Sequence, residues 1–168
     1  AKAHAALLRA MLCRHGIEQM RDDAEEAVRR SAAAGISLPT PTFFLGIALL
    51  LSGDPDGGDA SFQDAVRIAE LAGAHEITAA ALNERSLLAM ARNQWSLAEE
   101  LAGQARTALS RTKIEEPVGW AVEARLALHR GDVTAARRAL VNAQRTRSIL
   151  TYAFPHGAVQ ARIELARV

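Results

Sequence analysis

Ala124-Arg125-Leu126-Ala127-Leu128-His129-Arg130-Gly131-Asp132-Val133-Thr134-Ala135-Ala136-Arg137-Arg138-Ala139-Leu140-Val141-Asn142-Ala143 reads as a helix, a tight turn and a second helix. Gly131 ends the first helix, because glycine takes the left-handed conformation without steric penalty. Asp132 caps the second, its carboxylate meeting the free N–H groups of the first turn. Val133, Ala136, Leu140 and Ala143 then recur at helical spacing and form one apolar stripe. The small side chains of Ala136 and Ala143 let this helix approach a neighbour closely.

The same unit recurs along the chain. Ile17, Pro55, Trp95 and Val133 open the second helices and lie 38, 40 and 38 residues apart. Self-similarity at such a period is the mark of a solenoid of helical hairpins, each burying its apolar face against the next. The units are 1–36, 37–74, 75–112, 113–148 and a partial fifth over 149–168. In the first, Ala5, Leu7, Leu8, Met11 and Leu12 are expected to face inward, with His15-Gly16 as the turn. Ile17, Met20, Ala24, Ala27 and Val28 form its second stripe. Ser37 to Pro41 is read as a linker, since proline is excluded from helix interiors.

The second unit holds a helix from Pro41 to Ser52, whose run Phe43–Leu51 is apolar all round and therefore buried on most sides. Its turn is Gly53-Asp54-Pro55, and Gly57-Gly58 weakens the start of the next helix. The third turns at Asn93-Gln94, asparagine also tolerating the left-handed conformation. The fourth begins near Glu115. Tyr152, Phe154, Val159, Ile163 and Leu165 are the apolar positions of the fifth, which has one helix and serves as an end cap. One domain of this design is expected over 1–168, as a segment of a larger chain.

Composition agrees. About a fifth of the residues are alanine, the best helix former, and aromatic residues are sparse. Twenty basic and nineteen acidic residues leave a net charge of +1, too little to gather nucleic acid or an anionic membrane. The longest apolar run is shorter than the roughly 20 residues needed to span a bilayer. Cys13, the one cysteine, has no internal disulfide partner and is read as a buried structural thiol, which suits a cytoplasmic location.

These residues resemble a tetratricopeptide repeat. An early aromatic, a small residue four on, a Gly-Asp turn, then small, bulky and small side chains appear as Trp120, Ala124, Gly131-Asp132, Ala136, Leu140 and Ala143. Gly46, Gly53-Asp54, Gly58, Phe62 and Ala65 meet the pattern in part, as do Ser86, Trp95, Ala98 and Ala105. The first unit departs, with Leu8 and Met20 at positions for small residues. The longer period and the segments 126–137 and 150–155 are similar to the repeat region of MalT-like, LuxR-type bacterial transcriptional regulators. The resemblance implies an all-α, right-handed superhelical solenoid of about nine helices. It also implies a non-enzymatic sensor segment, set between a nucleotide-binding module and a helix-turn-helix module. A stand-alone adaptor for protein–protein interaction is the alternative.

No catalytic constellation appears. His4, His15, His75, His129 and His156 have no second ligand at helical spacing, so no metal is expected. Gly57-Gly58 lacks the lysine of a phosphate loop, and no cofactor is expected. Asp22-Asp23 and Glu25-Glu26 read as a solvated face. What remains is the concave wall, lined in such arrays by the first helix of each hairpin. Arg9, Phe43, Asn83 and Arg125 are the candidates there, three polar groups and an apolar platform for a protein, a peptide or a small effector. This segment is expected to touch neighbouring modules of its own chain but no nucleic acid and no membrane; oligomerisation is left open.

Overall fold

A computed structural model describes residues 2–112, 117–146 and 155–167. Among the described residues the chain forms nine α-helices and no strand. They are α1 (Lys2–Leu12), α2 (Ile17–Ala33), α3 (Pro39–Leu51), α4 (Pro55–Ala72), α5 (His75–Ala91), α6 (Trp95–Leu109), α7 (Pro117–His129), α8 (Val133–Thr146) and α9 (Pro155–Ala166). None of them is long and apolar enough to cross a membrane. Glu115, Leu150, Tyr152 and Phe154 lie outside the described residues. The chain divides into two compact units, Ala1–Ala81 and Leu82–Val168, the division falling within α5.

In the first unit α1 pairs with α2 and α3 with α4, while α2 and α1 both meet α3. The α3–α4 joint shows why small residues recur. A Cβ on Gly46 would lie 2.6 Å from the Phe62 ring, and one on Gly58 would lie 3.1 Å from the Gly46 carbonyl oxygen. The two backbones therefore approach through glycine, and Phe62 fills the space beside them, fully buried. Phe43 meets Phe44 edge-on at 5.5 Å and Phe62 at 5.7 Å between ring centroids. Asp54 caps α4, accepting the Gly57 N–H at 2.8 Å, so Gly57-Gly58 does not fray the helix.

Three expectations for this unit are corrected. Pro39, read as linker, opens α3 two residues before the expected start at Pro41, and both prolines lie in the first turn, where the N–H groups have no intrahelical acceptor and proline loses nothing. Ala6 and Ala10 are the buried residues of α1, while Ala5 is exposed and Leu8 is 56 % exposed. The turn after α1 has four residues, 13–16, one more than the other hairpins, and this shifts the inward face. Two of the four have positive φ, Cys13 at 44° and Gly16 at 91°. Cys13 thus sits in a turn and is only partly buried.

In the second unit the later half of α5 meets α6 where the buried Ser86 hydroxyl donates to the Ala98 carbonyl at 2.8 Å. α7 packs on α6 and α8, and α9 on α7 and α8. Asn93 and Gly131 take the left-handed turn positions, with φ of 58° and 78°. Asp132 caps α8, accepting the Ala135 N–H at 2.9 Å. Ala136 and Ala143 are buried, but Val133, on the first turn, is half exposed, and Ala139 lies in the core between them.

Gly46→Ala is expected to lower stability by about 1–2 kcal/mol in urea unfolding, overpacking against Phe62 outweighing the gain in helix propensity. Gly103→Ala, whose Cβ would meet only the end of Arg106 at 3.9 Å, is expected to raise it by about 0.5–1 kcal/mol.

Candidate functional site

The second unit carries an unusual wall. α5 supplies Asn83 and Glu84, both buried; α7 supplies Arg125; α9 supplies His156, Gln160 and Glu164. The last three stand four residues apart and so share one face of α9. That face turns toward α5 and α7. His156 Nε2 lies 3.1 Å from Glu84 Oε1. Glu164, with 1 % of its side chain exposed, is in direct ion-pair contact with Arg125 Nη1. It also accepts from Arg167 Nη1 at 2.9 Å and Gln160 Nε2 at 3.3 Å. Removing a charge from water is expensive unless partners replace the lost hydration. Glu164 has three such partners. Glu84 Oε2, equally buried, has none among the described residues.

Polar contacts take part in orienting α9. Val159 and Ile163, expected as apolar positions of the last unit, are half exposed, whereas Ala161 and Glu164 are buried.

Next to this wall is a hollow of about 410 Å³ lined by Trp95, Arg125, Leu128, His129 and Arg167. Trp95 opens α6 and His129 closes α7, and their rings stack at 3.7 Å with 8° between planes. A second hollow, of about 340 Å³, is edged by two ion pairs, Arg106–Glu123 at 3.3 Å and Arg130–Glu99 at 2.7 Å. Its floor includes Leu126 and Ala139, and its charges balance. Among the described residues no group of three or more His, Cys, Asp or Glu side chains is placed to hold a metal ion.

Of the four residues expected on a concave wall, Arg125 is in the polar cluster and on the first hollow, and Asn83 is buried beside Glu84 in sequence. Arg9 and Phe43 belong to the first unit. Arg9 does not stand free: its Nε donates to Asp23 at 2.7 Å and its Nη2 to Glu26 at 3.0 Å, tying α1 to α2. Phe43 is a correction, since its ring points at Phe62 of the partner helix and is buried, so it offers no platform. An apolar helix gives no sequence cue to which ring faces outward. The sequence does not single out Glu84, Gln160 or Glu164, and offers His156 only as an isolated histidine. The one available signal was the polar spacing of four on α9; Glu84 has no local signal, since its partner is 72 residues away.

Arg30's hydrogen bond, first, and the charges of Arg30 and Arg9 hold the Glu26 carboxyl below its ordinary value of 4.5. The folded carboxyl then binds a proton less tightly than the unfolded one. Its contribution to stability is complete above that value and fades as pH falls through the folded value. Thermal unfolding from pH 7 to 3 is expected to show this decline, and Glu26→Gln to flatten it. Arg125→Met is expected to cost about 3 kcal/mol in urea unfolding by stripping a partner from buried Glu164. Arg125→Met with Glu164→Leu is expected to recover most of that loss, because both ends of the pair are then apolar. No family model, no curated protein and no solved structure matches this chain.

Proposed function

We propose that the chain is a non-enzymatic binding and sensor segment built as a right-handed superhelical solenoid of tetratricopeptide-like hairpins. It works in the cytoplasm as part of a LuxR-type transcriptional regulator. An effector or protein partner seated on the wall of the first helices would shift how neighbouring modules are arranged.

The observation that carries this reading is the polar wall of the second unit. Glu84, Arg125, His156 and Glu164 come from three helices and sequence separations of 39 and 72 residues, and all four are largely buried. A spacer gains nothing from burying such groups, because apolar side chains of similar volume hold helices together as well or better. A binding site gains orientation and selectivity from them. The turn spacing of 38 to 40 residues and the in-order packing of hairpins within each unit support the solenoid.

Thermal-shift and calorimetric screening against sugars, nucleotides and short peptides tests the binding role. At a concentration near 100 Kd a true ligand is expected to stabilise the chain by about 2.7 kcal/mol, a shift of a few degrees. Silence across the screen would leave a purely structural spacer. The full-length gene separates the two binding roles: a nucleotide-binding loop before this segment and a helix-turn-helix after it support the regulator, and their absence the stand-alone adaptor.

A further inference from the structure

We infer that the hollow between Trp95, Arg125, Leu128, His129 and Arg167 is a site for a small organic carboxylate with an aromatic or aliphatic body. The inference deepens the proposed binding role of the second unit and rests on it.

Charge sets the sign of the ligand. Two guanidinium groups line the hollow, and the carboxylate that meets them among the described residues, Glu164, is buried behind them and does not line it. One positive charge is left for the ligand. That matches a monoanion better than a dianionic phosphate.

Geometry sets the class. A guanidinium has five N–H donors in a planar fork suited to a carboxylate. Arg125 and Arg167 each give one N–H to Glu164. Arg125 is only 18 % exposed and Arg167 is 57 % exposed. Glu164 therefore acts as a positioning residue that fixes the Arg125 fork in advance, while Arg167, held to Glu164 by one N–H and more exposed, keeps its other donors for a ligand. A fork fixed before binding loses less entropy on association.

Size and lining set the body. The hollow, about 410 Å³ and widely open to solvent, has room for a small organic molecule. The stacked Trp95–His129 pair and the partly exposed Leu128 give its apolar flank. The second hollow has balanced charges and offers no such bias.

Titration of the full chain with phenylacetate, benzyl alcohol, benzylamine and phenyl phosphate, followed by calorimetry and tryptophan fluorescence, tests the inference. Phenylacetate is expected to bind saturably and change the emission, with the change absent in Trp95→Phe. The alcohol and the amine are expected not to bind, and phenyl phosphate to bind more weakly. Arg167→Gln, which removes the charge but keeps an N–H donor for buried Glu164, is expected to weaken phenylacetate at least about tenfold, with thermal unfolding showing that the variant is folded. Arg67→Gln on α4 is expected to leave it unchanged. Equal binding of the neutral or cationic probe, tighter binding of phenyl phosphate, or indifference to Arg167→Gln overturns the carboxylate site. Silence of all four probes does the same. In each case a hit in the broader screen that ignores Arg167 would leave the binding role standing without this site.

Discussion

Close approach of helix backbones is the constraint on which the structure depends. At the α3–α4 joint Gly46 and Gly58 leave no room for a Cβ, and Phe62 lies against them. Twelve residues separate Gly46 from Gly58, Ser86 from Ala98, and Ala124 from Ala136. At the second of these joints the Ser86 hydroxyl reaches the Ala98 carbonyl directly, a contact that also requires near backbones. Most of the buried apolar residues among those described are alanines, which pack helices tightly without locking bulky rotamers. Short helices of this kind are marginal alone and draw their stability from such joints.

A core built from alanine has a consequence for polar groups. Small side chains bring helices near enough for a carboxylate on one to meet a guanidinium or imidazole on another. Glu164 and Glu84 are buried in this way, one with three partners and one with a single imidazole. The contrast between them is physical. Glu164 is a satisfied anchor that fixes Arg125; Glu84 is a buried acceptor with capacity left over. The wall on which they stand joins α5, α7 and α9 through polar contacts, and α9 turns its polar face inward there.

The first unit uses charge differently. Arg9 spans from α1 to Asp23 and Glu26 on α2, with its own head half exposed. Such contacts are screened and individually weak. They tie α1 to α2; the turn after α1 is longer than the others, and Leu8 lies at the surface with Ala6 and Ala10 inside. A departure from the repeat at one turn is thus absorbed by changing which residues face the core.

Local sequence alone determined the helices and their turns. Glycine and asparagine at left-handed positions, aspartate at caps and stripes of small residues act within a few residues of themselves, so Gly53, Asn93, Gly131, Asp54 and Asp132 were legible before any fold was known. Arg125 was legible as a polar residue on an otherwise packed helix. Its partner was not. Tertiary structure alone decided that Phe43 faces its own hairpin, that Glu84 meets His156 and that Glu164 gathers Arg125 and Arg167. Those outcomes depend on how neighbouring helices are rotated about their axes. That rotation is set by packing and polar contacts across 39 to 72 residues, distances over which local pattern carries no information.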